Sequence, residues 1–199
     1  AYGLAETTLL STLSRANSEP TILRVNKKLL DEGTLLPVSD EIDFSVEIVS
    51  SGRPYGDMEV IVVKADSLTL CDEGCLGEVW IKGPSVTSGY FGNQSEEIFN
   101  ASTYDQSKTG FFRTGDLAFQ WKGSIFIFGR LKDLIISKGR NIYPQDIEMT
   151  VKECHSAFKT VNGAAFSIDV DGTEELIVVH ELERSLRNNI NVDELVKIV

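Results

Sequence analysis

The chemistry of this chain is concentrated in a few side chains set beside glycines. In Phe111-Phe112-Arg113-Thr114-Gly115-Asp116, a short carboxylate directly follows a glycine turn between β-like segments. A carboxylate held there can accept both hydroxyls of a ribose in charge-assisted hydrogen bonds; the same arrangement also occurs where an Asp only bonds its own backbone in a turn. In Tyr2-Gly3-Leu4-Ala5-Glu6, a glycine-permitted turn brings an aromatic face close to a second carboxylate. The ring could stack on a nucleobase and the carboxylate could hold Mg²⁺ beside phosphates; the plain alternative is a surface turn. Arg130 ends a run of β character, where its guanidinium could bridge ribose or phosphate oxygens or join an ordinary surface ion pair. The stretch from Gly83 to Phe91 contains serines, but it lacks the spacing of a nucleophile elbow and no suitable His follows, so it reads as a connection.

Such groups need a rigid frame. From Ser45 to Phe128 the pattern is mostly β: Val46–Val49, Met58–Val63 and Gly77–Lys82 are short β-branched or alternating runs. Turn residues separate them, at Ser51-Gly52-Arg53-Pro54, Asp72-Glu73-Gly74 and Gly83-Pro84. Trp121-Lys122-Gly123-Ser124 predicts a tight turn between Leu117–Gln120 and Ile125–Phe128, with Phe126 and Phe128 as core residues. Strands at this spacing suggest a small barrel or sandwich. The region Thr21 to Phe44 is amphipathic, carries one helical piece over Val25–Glu32, and reads as an insertion.

Gly129 to Glu148 is dense in punctuation: a strand end, a charged turn at Lys132-Asp133, a short apolar run, a glycine loop and a helix start. Pro144 suits the first helical turn, and Ile147, Val151 and Cys154 then share one face. Val161–Ile168 and Glu175–Leu182 predict a hairpin through Asp171-Gly172, and Asn191 with Glu194 could cap a final helix. The fold class is α+β: a β-rich, barrel-like region over residues 1–129, with the insertion at about 21–44, then a small α+β unit over 130–199. The missing initial Met and the helix interrupted at Val199 predict a piece of a longer chain.

At 199 residues, with 42% apolar and 25% charged content, the composition is that of an ordinary soluble globular protein. A net charge of −11 argues against nucleic acid, whose partners carry basic surfaces. No apolar run approaches the ~20 residues that span a bilayer, and the opening residues lack the basic flank of a signal peptide. Cys71, Cys75 and Cys154 are odd in number and have no paired spacing, so reduced thiols in a cytoplasmic protein are expected, with Cys71 and Cys75 as packing residues. His155 and His180 complete no zinc spacing.

Taken in order, Tyr2-Gly3-Leu4-Ala5-Glu6, Thr114-Gly115-Asp116 and Gly129–Glu148 resemble the adenylate-forming superfamily of acyl-CoA synthetases, peptide synthetase adenylation domains and luciferases. Ala5, the following Thr7-Thr8-Leu9, the insertion at 21–44 and Asn141–Glu148 resemble its fatty acyl-AMP ligase branch in particular. The resemblance implies the end of a large AMP-binding domain followed by the start of a small mobile one. It implies that Tyr2 stacks adenine beside Gly3, Glu6 binds Mg²⁺, and Asp116 with Arg130 holds the ribose. Lys132 and Asp133 would be the hinge, and Lys138, Gly139 and Arg140 the loop that swings in for thioester formation. The implied reaction joins a fatty acid and ATP as acyl-AMP, releasing pyrophosphate, then passes the acyl group to the phosphopantetheine thiol of an acyl carrier protein. The family's phosphate loop and catalytic lysine fall outside this chain, which by itself is expected to be nearly inert. A fatty acyl-CoA synthetase using CoA is the alternative within enzymes, and a non-catalytic module docking a carrier protein is the alternative outside them.

Overall fold

A computed structural model describes residues 1–39, 44–92, 96–137, 140–170, 173–186 and 191–198. It divides into two compact units, Ala1–Lys132 and Asp133–Val199. The fold is a strand-rich α+β mixture.

The first unit opens with β1 (Thr12–Leu13), β2 (Ile22–Asn26), α1 (Lys27–Asp31), β3 (Ser45–Val49) and β4 (Arg53–Pro54). β1 pairs with β4, and β2 with β3 in an antiparallel ribbon that sets Val25 opposite Val46. Here the helical piece expected over Val25–Glu32 is shorter, because Val25 and Asn26 belong to β2. Ile22 and Val25 are β-branched and gain cross-strand partners. Asn26 caps the helix instead of entering it, its Oδ1 accepting from the Leu29 amide at 3.1 Å.

Next come β5 (Glu59–Val63), β6 (Leu76–Lys82), α2 (Glu96–Phe99), β7 (Ala101–Ser102), β8 (Thr109–Trp121) and β9 (Ser124–Arg130). They form one curled, half-barrel sheet in the order β5-β6-β8-β7, with β9 also on β8. β5 and β6 read as nearly continuous apolar runs because both faces are covered. Val60, Val62, Val79 and Ile81 meet Ala118 and Ile125 on one face, while Ile61, Val63 and Trp80 meet Phe111 on the other. Phe119 and Phe126 pack with Val25, Leu30 and Leu35, which holds the β2–β3 ribbon and α1 against the β8–β9 hairpin. That hairpin turns at Lys122 (φ 48°) and Gly123 (φ 75°), the left-handed pair whose twist matches the flanking strands.

β8 is the hub of the sheet. Along one edge it pairs with β6; along the other it pairs first with β7, through Phe111, and then with β9, from Asp116 onward. Against β6 the ladder is irregular: Glu78 faces Leu117 and Trp80 faces Arg113, so two steps along β6 span four along β8. Thr114, Gly115 and Asp116 occupy that excess. The turn expected between two β segments is therefore a bulge inside one strand, and Gly115 supplies the positive φ (71°) it needs.

The second unit contains β10 (Ile135–Ser137), β11 (Arg140–Ile142), α3 (Pro144–Cys154), β12 (Gly163–Val170), β13 (Thr173–His180) and α4 (Val192–Ile198). β12 and β13 form the expected hairpin, from Gly163 opposite His180 to Val170 opposite Thr173; Asp171 and Gly172 lie outside the described residues. Pro144 opens α3, whose Val151 packs with Phe158 and Leu195, flanked by Ile147 and Cys154.

Phe119 is fully buried where the ribbon meets the sheet. Phe119→Ala is expected to destabilise the first unit by about 3–5 kcal/mol, read as a lower denaturation midpoint followed by Trp80 and Trp121 fluorescence.

Candidate functional site

The bulge in β8 turns the Asp116 side chain toward two groups from distant parts of the chain. Asp116 and Arg130 are register partners across β8 and β9, and the Arg130 Nε donates to Asp116 Oδ1 at 2.9 Å. The Tyr2 hydroxyl donates to Asp116 Oδ2 at 2.7 Å. Asp116 is 6% exposed, whereas the Arg130 side chain is half-exposed, so this ion pair has one buried and one hydrated end. Each carboxylate oxygen has more than one lone pair, and both keep capacity for a further donor.

Tyr2 reaches Asp116 because its segment closes into a loop. The Tyr2 amide donates to the Thr12 carbonyl at 3.0 Å, and the Ser11 and Thr12 amides both donate to the Tyr2 carbonyl at 2.9 Å. Inside, the Ser11 hydroxyl donates to Thr7 Oγ1 at 2.8 Å, and Thr7 and Ser11 are fully buried. A Cβ on Gly3 would lie 1.8 Å from the Leu9 carbonyl oxygen, so only glycine admits this closure. The Tyr2 ring packs on the cluster of Met58, Val60, Val79 and Ala118. Burial, and then the hydrogen bond to Asp116, push the Tyr2 phenol well above its ordinary value, so it remains a donor.

Glu6 lies on the same loop, in the single helical turn Ala5–Thr7. Its Oε1 accepts from the Tyr90 hydroxyl at 2.7 Å, and its carbonyl from the Thr87 amide at 2.8 Å. That hydrogen bond raises the Tyr90 phenol, with burial adding to it. Tyr90 in turn meets Phe99 edge-on, with centroids 5.1 Å apart. Among the described residues no group of three His, Cys, Asp or Glu side chains could hold a metal. A lone half-exposed carboxylate nevertheless suits Mg²⁺, which takes most of its octahedral shell from water and phosphate oxygens.

The structure thus brings Tyr2, Asp116 and Arg130 together and sets Glu6 on the loop that starts from Tyr2. Lys132 and Asp133 are both exposed, in the short turn Leu131–Asp133; Lys132 ends the first unit and Asp133 begins the second. Lys138 and Gly139 lie outside the described residues; Arg140 pairs through its backbone with Ser137. Cys71 and Cys75 are half-buried free thiols, and burial pushes the Cys71 thiol up to about 11, which keeps it protonated.

Three contributors were not anticipated from the sequence: Tyr90; the Thr114 hydroxyl, which accepts from the Asp116 amide at 3.0 Å; and Glu78, which accepts from the Gly115 amide at 3.1 Å. The signal for Glu78 was present, since it is a lone acid inside the otherwise apolar run of β6.

No protein-family model matches the chain. It is 38% identical over 200 residues to the medium-chain-fatty-acid–acyl-carrier-protein ligase JamA of Moorena producens, covering 98% of this chain and 34% of that protein. A solved structure from the fatty acyl-adenylate ligases of E. coli and L. pneumophila aligns with a TM-score of 0.75 and 29% identity, over 98% of this chain and 34% of that one. The L. pneumophila fatty acyl-adenylate ligase in complex with acyl adenylate and pyrophosphate aligns with a TM-score of 0.63 and 33% identity, over 99% of this chain and 35% of that one. The chain spans about a third of the length of the curated relative.

The raised Tyr2 phenol has a direct consequence for stability. Below the ordinary tyrosine value, near 10, folded and unfolded chains both carry the proton, and the stabilisation is complete. Above it, the unfolded chain ionises while the folded one resists, so stability falls as pH rises. Between about pH 10 and 11 the native protein is expected to lose up to about 1.4 kcal/mol more stability than Tyr2→Phe, measured by urea unfolding at each pH.

Proposed function

Because the chain is a relative of the fatty acyl-AMP ligases in both sequence and fold, we propose that it forms the part of such a ligase that grips the sugar and base of the nucleotide. The parent enzyme activates a fatty acid with ATP as an acyl-adenylate and hands the acyl group to the phosphopantetheine thiol of an acyl carrier protein. The observation that carries this reading is the convergence of the Tyr2 hydroxyl and the Arg130 guanidinium on the buried carboxylate of Asp116. The name of JamA, a ligase to an acyl carrier protein, supports the choice of acceptor.

In this reading each side chain has one task. Asp116 accepts the ribose hydroxyls on the lone pairs left by Tyr2 and Arg130. Arg130 places positive charge against Oδ1 and fixes the plane of the carboxylate. Tyr2, held by its own hydroxyl, offers the face of its ring to the base. Glu6 is the carboxylate for Mg²⁺, which when bound shields phosphate charge. Lys132 and Asp133 form the hinge, where a short element-terminal turn absorbs backbone rotation, and Lys138, Gly139 and Arg140 serve the thioester step.

The test uses the ligase that carries this chain, with ATP, Mg²⁺ and a medium- or long-chain fatty acid, followed by mass spectrometry. Acyl-AMP is expected to accumulate, to resist CoA, and to discharge onto holo acyl carrier protein. Rapid acyl-CoA formation would assign CoA as the acceptor instead, and no adenylate at all would leave only a carrier-docking module. Asp116→Ala is expected to lower kcat/KM for ATP by at least about tenfold, the scale of one lost hydrogen bond to a charged group. Unchanged adenylate formation in that variant would remove Asp116 from the ribose site.

A further inference from the structure

We infer that Glu78 is the positioning residue of the nucleotide site, clamping the bulge that presents Asp116. The inference rests on the ribose reading of Asp116 and extends it to a residue that touches no nucleotide. Glu78 lies within β6 and is 2% exposed. Its Oε1 accepts from the Gly115 amide at 3.1 Å. Its Oε2 accepts from the Trp80 indole Nε1 at 3.0 Å, from Arg113 Nε at 3.0 Å, and pairs with Arg113 Nη2 at 2.8 Å. Arg113 in turn lies over the Trp80 ring, 5.5 Å from its centroid.

The need for this carboxylate follows from the bulge. Where β8 carries excess residues against β6, the ladder lapses and the Gly115 amide loses its regular backbone acceptor. A buried amide without a partner is costly, and Glu78 supplies the acceptor from the facing strand. The adjacent residue completes the grip: the Thr114 hydroxyl donates to the Val79 carbonyl at 2.8 Å and accepts from the Asp116 amide at 3.0 Å. Thr114, Gly115 and Asp116 are therefore pinned to two consecutive positions of β6, which leaves the Asp116 carboxylate one direction to point. Burying an ion pair is a poor route to stability, since apolar residues often serve as well. The oriented set of donors on Glu78 accounts for its presence as a geometric device.

The experiment compares ATP with 2′-deoxy-ATP in the full ligase, because the ratio of their kcat/KM values reads the ribose contact and not the stability of the fold. Glu78→Gln keeps the size but turns an amide toward donors on Trp80 and Arg113. The native enzyme is expected to prefer ATP by about tenfold or more. Glu78→Gln is expected to narrow that ratio at least about threefold at a temperature where the variant is folded, Asp116→Ala to abolish it, and the double variant to match Asp116→Ala alone. A lower Tm with the ratio intact would show that Glu78 is structural only and would overturn the inference, leaving the ribose reading in place. A ratio unaffected by Asp116→Ala would bring down the ribose reading itself, and the inference with it. If Glu78→Gln does not fold, Arg113→Lys keeps the charge and loosens only the Oε2 side. A narrowed ratio there supports the clamp, and an intact one overturns it.

Discussion

Everything around the site depends on holding a carboxylate in a nearly dry place. Asp116 is almost fully buried, as is Glu78 on the adjacent strand β6. Neither could remain there without directed donors, because the interior returns little of the hydration a charge gives up. Asp116 is served by a phenol and a guanidinium, Glu78 by an indole, a guanidinium and a backbone amide. The Gly115 amide is the link between the two sets, and it exists as an available donor only because the strand bulges there. A regular β8 would have used that amide in the ladder and turned Asp116 elsewhere.

The sheet also explains why the bulge is stable. β8 is paired along both edges, and its neighbour β6, with β5 beyond it, is covered on both faces. An irregularity in an edge strand could spread or fray, whereas this one has β6 along one edge and β7 and β9 along the other. The opening loop adds a further constraint of the same kind. Tyr2 reaches the carboxylate from over a hundred residues away because the chain closes on Thr12 and Gly3 lets the backbone pass Leu9.

Much of this was legible in the sequence where the signal is local. Turn residues marked the Trp121–Ser124 hairpin, Pro144 marked the start of α3, and the apolar β-branched runs marked β5 and β6. Glycine beside Asp116 and Tyr2 pointed to the two halves of the site. What stayed hidden depends on pairing across strands. Glu78 and Gly115 are 37 residues apart, and Glu6 and Tyr90 are 84 apart; neither leaves a periodic trace. Val25 and Asn26 show the same limit at short range. Their neighbourhood has helical character, but a partner strand at Ser45–Val49 claims them for β2.

The two tryptophans of the chain belong to different clusters of the first unit. Trp121 packs with the β2–β3 ribbon, while Trp80 lies in the cluster beneath the bulge with its indole N–H on Glu78. An indole's emission depends on the charge and dipoles at its ring nitrogen, and Glu78 is also the acceptor of Gly115. The protein therefore carries an intrinsic optical reporter wired to the bulge that presents Asp116, with a second chromophore outside that circuit to serve as its reference.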